Sequence, residues 1–238
     1  MDLKNKVAII TGASSGIGKA VAKELDAVGM NLVLTARSFQ KLEQLGHSLK
    51  SAKVVPGEIT DPELPQQLID EAVNAFGEFN VLINNAGVMV VGAIDNVDIE
   101  ALCQMVRINV EANFRMAYTA LRHFKQMGNG FLINTSSVAG LKTAPEMAAY
   151  NGTKFAVEAF TDSLRVELAG TGIGVASIAP GTVETGLYDK WDEKHKAYMY
   201  TGGALRAEDI ARCIRFILEQ PENTLIPRLV AVPMNQPF

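Results

Sequence analysis

The chain has 238 residues, 48% of them hydrophobic and 20% charged, which suffices for a sizeable core and excludes wholesale disorder. Its 20 glycines and 9 prolines follow no period, so collagen-like and low-complexity architectures are excluded as well. A net charge of −4, from 22 basic and 26 acidic residues without a basic run, points away from nucleic acid or an anionic membrane as partner.

Apolar periodicity alternates between short strands and longer helices. Val7 to Thr11 reads as a buried strand that ends in a glycine-rich turn, followed by a helix from Ile17 to Val28 that stops at Gly29. Asn31 to Ala36 is the second strand, and Ser38 caps a helix running to about Lys50. Val54 and Val55 form a short strand before Pro56-Gly57. The next helix is predicted over Pro62 to Phe76, with Asp61 as its cap and Pro62 in the first helical position. Val81 to Asn84 is a strand ending in Asn84-Asn85-Ala86-Gly87, and Ile99 to Met127 reads as one long helix. Phe131 to Thr135 (strand), Ala148 to Ala169 (helix) and Val175 to Ala179 (strand) follow. An irregular, aromatic-rich stretch from Thr182 to Leu205 precedes a helix over Glu208 to Leu218 and a last strand over Leu225 to Val232.

Such alternation calls for a parallel sheet covered on both faces. The expected fold is therefore α/β: one single-domain Rossmann-type, doubly wound parallel sheet of seven strands with helices on both faces. It spans residues 1–238, with a cofactor half over about 1–130 and a catalytic half over about 131–238 that includes a lid over about 182–205. The N-terminus lacks the apolar core of a signal peptide, and the longest apolar stretch, Val88 to Ile94, is far short of a bilayer span. Cys103 and Cys213 sit in no CxxC pattern, so neither a disulfide framework nor a thiolate zinc site is expected. A reducing, cytoplasmic setting follows.

Thr11-Gly12-Ala13-Ser14-Ser15-Gly16-Ile17-Gly18 lies where the first strand yields to the first helix. In a parallel sheet this turn sets backbone N–H groups and a helix N-terminus beside a pyrophosphate. The spacing is G-x-x-x-G-x-G, not the general G-x-G-x-x-G fingerprint. About 20 residues on, a carboxylate would hold the ribose 2′-hydroxyl of NAD. Here Ala36 takes that place and Arg37 follows, a planar cation suited to a 2′-phosphate with no carboxylate at the strand end to repel it. NADP(H) is the expected cofactor.

Tyr150 and Lys154 stand four apart on a predicted helix and share a face. A nearby ammonium favours the phenolate, which fits the pair for moving a proton to or from a carbonyl oxygen. Ser136-Ser137 ends the preceding strand, where sheets of this kind place their active sites.

With these motifs in order, the chain resembles the short-chain dehydrogenases/reductases over nearly its whole length. The match runs through Thr11-Gly12-x-x-x-Gly16-x-Gly18, Asn84-Asn85-Ala86-Gly87, Asn109, Ser137, Tyr150-x-x-x-Lys154, and Pro180-Gly181 with Thr185. The resemblance implies that Tyr150 is the acid in carbonyl reduction and the base in alcohol oxidation. Ser137, thirteen before the tyrosine, would orient the carbonyl oxygen in preference to Ser136. Lys154 would lower the tyrosine pKa and hold the nicotinamide ribose, and Asn109 would fix a water relaying protons to Lys154. Gly12, Ser14, Ser15, Gly16, Ile17 and Gly18 would form the phosphate turn. Asn85, Ala86 and Gly87 would line the adenine ribose, and Pro180, Gly181, Val183 and Thr185 would cradle the nicotinamide. Hydride passes directly to the substrate carbon, so no metal is implied.

Two positions depart from the family pattern. Glu58-Ile59 stands where an aspartate near the adenine is common, and its longer carboxylate would reach the same amino group. The final strand lacks a Gly-Gly ending and is similar instead to NADP-dependent 3-hydroxy acid (serine) dehydrogenases and clavulanic-aldehyde reductases. The expected reaction is hydride transfer between NADP(H) and a carbonyl/alcohol pair, with a small-molecule 3-hydroxy acid or aldehyde as one form of it. The alternatives are 3-oxoacyl thioester reduction and a non-catalytic NADP(H)-binding sensor. The resemblance also implies a homodimer or homotetramer through the long helices. Tyr188, Trp191, His195, Tyr198 and Tyr200 belong to the expected lid, and Val88, Met89 and Val90 form one pocket wall. His47 and His123 read as surface residues, and Lys142 as a loop lysine within reach of a substrate carboxylate.

Overall fold

A computed structural model describes residues 1–188 and 200–237. Its strands are β1 (Val7–Thr11), β2 (Asn31–Thr35), β3 (Ala52–Val54), β4 (Val81–Asn84), β5 (Gly130–Thr135), β6 (Ile173–Pro180), β7 (Val183–Glu184), β8 (Leu205–Arg206) and β9 (Arg228–Ala231). The helices are α1 (Gly16–Ala27), α2 (Phe39–His47), α3 (Leu64–Phe76), α4 (Ile99–Val106), α5 (Asn113–Met127), α6 (Ala148–Glu167) and α7 (Ala207–Leu218). Seven strands form one parallel sheet in the order β3-β2-β1-β4-β5-β6-β9.

Successive side chains of a strand point to opposite faces, and here both faces are covered. Ala8, Ile10, Leu32, Leu34, Val81, Ile83, Ile133, Ala176 and Ile178 pack with α1, α2 and α7 on one side. Val7, Ile9, Val33, Leu82, Leu132 and Val175 pack with α3, α5 and α6 on the other. The strands therefore read as unbroken apolar runs rather than as alternation.

Between these layers runs a buried polar thread. Asn84 Nδ2 donates to the Asn113 carbonyl (2.9 Å) and to Asn134 Oδ1 (3.1 Å), and Asn134 Nδ2 donates to Thr161 Oγ1 (2.9 Å). It fixes the C-terminal halves of β4 and β5 against α5 and α6. At the sheet edge, buried Glu158 accepts from Ser177 Oγ (3.0 Å) and Arg228 Nε (2.7 Å), pinning β9 to α6 and β6.

Four expectations need correction. Helix α3 begins at Leu64 with Pro65 in its first turn, because Asp61 Oδ1 accepts from the Glu63 N–H (3.0 Å) and closes a separate turn that leaves Pro62 outside the helix. Ser38 precedes α2 but makes no side-chain cap, and the helix ends at His47. The stretch Ile99–Met127 is not uniformly α-helical, since Arg107–Ala112 between α4 and α5 is a π-helical segment. Within the stretch read as irregular, β7 and β8 pair in parallel as a small second sheet (Val183 opposite Leu205). Among the described residues no helix is long and apolar enough to cross a membrane.

Candidate active site

Strand order reverses between β1 and β4, and a cavity of about 840 Å³ opens there, beyond the C-terminal ends of the strands. Ligands of open α/β sheets bind at such switch points. The residues expected to hold the cofactor all line this cavity except Gly18, and of the expected catalytic residues Ser137, Tyr150 and Lys154 line it while Asn109 does not.

The glycine turn is built for close backbone approach. Gly12 and Gly16 have φ of +67° and +51°, values that L side chains rarely adopt. A Cβ on Gly18 would overlap the Gly12 carbonyl oxygen and come within 2.8 Å of Asn85 Nδ2, so Gly18 acts beneath the cavity floor by letting α1 seat against the turn. Ser15, at the α1 N-cap, makes no side-chain cap, and no acidic residue lies in the first turn. The leading N–H groups of α1 are thus left for another acceptor. Thr11 Oγ1 accepts from both the Asn85 and Ala86 N–H groups (2.9 Å each), locking the two adjacent strand ends together. Two further hydroxyls on the wall, Thr135 Oγ1 and Ser136 Oγ, are buried without a partner. An extended anionic group with sugar hydroxyls fits this donor set and this glycine cradle.

At the end of β2 the sequence expectation is modified. No carboxylate stands on the strand end itself, yet Glu58 from the β3–α3 connection reaches within 3.5 Å of Arg37 Nε. Both side chains are more than half exposed, so the pair is weak and readily exchanged.

The proton-handling residues meet at the other end. Tyr150 in the first turn of α6 is buried, and burial pushes its phenol up to about 12, with a hydrogen bond to Ser137 acting in the opposite direction. Burial thus dominates at Tyr150, and the lowering expected from Lys154 is not seen. Lys154 Nζ lies 5.8 Å from the Tyr150 ring centroid and donates to the Thr135 carbonyl (2.9 Å). Burial brings its ammonium down to about 8, and the Glu158 carboxylate one helical turn on opposes that shift. Ser137 Oγ accepts from the Ala139 N–H (3.1 Å) at the cap of a short 3-10 turn.

Asn109 sits in the π-helical segment, a feature found often at functional sites. Its Oδ1 accepts from the Val88 N–H (2.9 Å), and its Nδ2 donates to the Val88 carbonyl (2.8 Å) and Thr153 Oγ1 (3.2 Å). It stands behind the wall as a clamp on the chain that follows Gly87.

Several contributors escaped the sequence reading. Asn151 Nδ2 donates to the Ala139 and Lys142 carbonyls (2.7 and 2.6 Å) and fixes the loop that delivers Tyr150. Met105 Sδ accepts from the Val90 N–H (3.2 Å), and Leu187 joins the apolar cluster around Tyr150. The one available signal was Asn151, a polar residue beside the tyrosine on a helix face that must be buried. Of the expected lid, Trp191, His195 and Tyr198 lie outside the described residues. His123 is no simple surface residue, since its ring lies 5.5 Å from that of Phe79 and partial burial lowers its pKa. Lys142 is exposed and does not line the cavity.

Comparison with known proteins agrees with this architecture. The chain is 34% identical over 237 residues to an uncharacterized oxidoreductase of Staphylococcus aureus strain USA300, covering 98% of this chain and 99% of that protein. The crystal structure of 3-ketoacyl-(acyl-carrier-protein) reductase from Brucella melitensis complexed with NADH is similar with a TM-score of 0.89 at 28% identity, covering 98% of this chain and 99% of that one. An alcohol dehydrogenase from the archaeon Thermococcus sibiricus complexed with 5-hydroxy-NADP gives a TM-score of 0.87 at 26% identity, again over 98% and 99% of the two chains. The family model for short chain dehydrogenases matches residues 6–196. With its site at the switch point of a doubly wound sheet, the chain belongs to the short-chain dehydrogenase family of oxidoreductases.

Proposed function

We propose that this protein is an NADP(H)-dependent reductase of carbonyl compounds, acting in reverse as an alcohol dehydrogenase. The observation that supports this reading most directly is the meeting of Ser137, Tyr150 and Lys154 on one wall of the cavity. When bound, the cofactor supplies the hydride. Tyr150 Oη gives its proton to the carbonyl oxygen as that oxygen gains negative charge, and Ser137 Oγ donates a hydrogen bond to the same oxygen. Lys154 holds the nicotinamide ribose and the local positive charge. Asn109 steadies Val88 and Thr153 beside it and fixes the relay water. The glycine turn, Asn85 to Gly87, Glu58, Ile59 and the Pro180–Thr185 stretch hold the remainder of the cofactor. A reducing, cytoplasmic setting suits two free thiols, Cys103 and Cys213. Exposed Tyr118 on α5 and Phe155 on α6 suit a homodimer or homotetramer formed through those helices.

The test is loss of NADPH absorbance with aldehydes, ketones, β-keto acids and 3-oxoacyl thioesters, with NADH in parallel. Consumption of NADPH with a carbonyl compound supports the reading. Tight NADPH binding without turnover of any compound favours a sensor instead.

The two structural neighbours carry cofactors of both kinds, so the preference for NADP(H) rests on Arg37 and Ala36. The double variant Ala36→Asp with Arg37→Ala is expected to reverse the ratio of NADPH to NADH efficiency by about 100-fold or more, since it replaces a phosphate-binding cation with a ribose-binding carboxylate. Steady-state kinetics with each cofactor checks this, and an unchanged ratio would remove the assignment.

Reduction also needs a protonated Tyr150 and a charged Lys154. With these groups near 12 and 8, kcat/KM for carbonyl reduction is expected to fall about tenfold per pH unit above about 8, as Lys154 gives up its proton. Lys154→Arg, whose guanidinium stays charged, should remove that limb in a pH–rate profile even if overall activity drops.

A further inference from the structure

At its catalytic end the cavity has a composition that the proposed reaction does not by itself require. Tyr150 forms a cluster with Met89, Met105 and Ala139, and Val88, Val90, Leu102, Met147 and Leu187 pack against it. Of these, Val88, Met89, Val90, Met105 and Leu187 line the cavity together with Ser137 and Tyr150. Among the described lining residues the charged side chains are Arg37, Glu58 and Lys154. Arg37 and Glu58 pair with each other at the end of β2, three strand positions from β5 and hence about 14 Å away. Lys154 donates to the Thr135 carbonyl, and in the proposed reaction it holds the ribose.

From this wall, and resting on the carbonyl-reductase reading, we infer that the substrate is an uncharged ketone or aldehyde whose carbonyl carbon bears apolar substituents. The Ser137 and Tyr150 hydroxyls take the carbonyl oxygen, and the substituents lie against the methionine, valine and leucine side chains. Among the described residues, a carboxylate next to the ketone would meet no cation at this wall, only the Gln104 amide beside the apolar side chains, and would lose its hydration. The two methionines are unbranched and polarisable, so the wall adapts to chains of different shape rather than selecting one outline. This inference differs from the short hydroxy-acid reading that the C-terminal strand suggests from sequence, and the matched comparisons below decide between the two.

Two matched comparisons test the inference. Ethyl 3-oxobutanoate and 3-oxobutanoate share a skeleton and differ in charge; the ester is expected to have a kcat/KM about 100-fold higher. Along the series from butan-2-one to octan-2-one, kcat/KM is expected to rise about 100-fold in total. An acid reduced as well as its ester, or a flat length series, overturns the inference while leaving carbonyl reduction intact. Leu187→Lys brings a cation to the half-buried edge of the wall. It should shift the acid-to-ester ratio at least about tenfold toward the acid, and an unchanged ratio in the folded variant also overturns the inference. If no compound is reduced, the proposed reaction fails but the wall remains testable by calorimetry. Octan-2-ol should bind the NADP-saturated protein more tightly than 3-hydroxybutanoate and with a negative heat-capacity change; equal affinities sink the inference.

Discussion

Tyr150→Phe is expected to lower turnover by about 10²- to 10⁴-fold while NADPH affinity and thermal stability stay close to those of the unchanged protein. The reasoning starts from burial. Tyr150 lies in the apolar cluster, its ring is retained by phenylalanine, and the lost atom is the hydroxyl that gives the proton. Ser137 loses one partner but keeps the Ala139 N–H (3.1 Å) and a longer contact with the Pro180 carbonyl (3.4 Å). Little else should change, because Lys154 is held by the Thr135 carbonyl rather than by the phenol. Stopped-flow or steady-state turnover, with fluorescence titration of NADPH alongside, separates the outcomes. Retained turnover would remove Tyr150 from the proton path, and lost cofactor binding would mean the ring has a packing role larger than its burial indicates.

A second large effect is expected at Gly18. A methyl group there meets the backbone carbonyl of Gly12, an atom that cannot retreat without moving the whole phosphate turn. Gly18→Ala should therefore cost about 3 kcal/mol of stability, at the upper end for overpacking, and lower Tm by roughly 6–12 °C. NADPH affinity should fall with it. Gly152 is the matched control. It lies between Tyr150 and Lys154 on α6, is exposed, and a Cβ there would meet no atom within 4 Å. Gly152→Ala should stabilise the helix by about 0.5–1 kcal/mol. Differential scanning calorimetry on the two variants decides the matter, and a stable, fully binding Gly18→Ala protein would mean that the turn is softer than its geometry indicates.

The layered fold was legible because its causes are local. Short, β-branched apolar runs such as Val7–Thr11 and Val81–Asn84, each ending in a turn, have the length and flanks of strands buried on both faces, and the amphipathic segments between them supply the cover. The cofactor turn was legible because a positive φ at Gly12 and Gly16 restricts the residue type. Tyr150 and Lys154 were legible because four residues make one helical turn. What stayed hidden depends on contacts between distant parts of the chain. The approach of Glu58 to Arg37 comes from two loops side by side in space and separated by 21 positions. The clamp from Asn109 to Val88 and Thr153 joins three segments, and no periodicity announces it. The pairing of β7 with β8 involves two residues from each strand, too few to leave a pattern. Asp61 and Pro62 have the composition of a helix start, and only the local hydrogen bond to Glu63 shows that they form a turn instead.

The π-helical segment also bears on how this chain tolerates insertion and deletion. A π turn is an α-helix with one residue too many, so removing a single residue between Arg107 and Ala112 would heal the ladder. Helices α4 and α5 would both keep their buried faces, and the shortened protein should keep its fold while losing about 1–3 kcal/mol for each buried polar group left unpaired. The amide of Asn109, however, would turn by about 100° relative to one of its two neighbours, Val88 or Thr153. The supernumerary residue is thus dispensable for the helical architecture and indispensable for the clamp, so a change of length in this short stretch is felt where the Asn109 hydrogen bonds are lost, beside the active site.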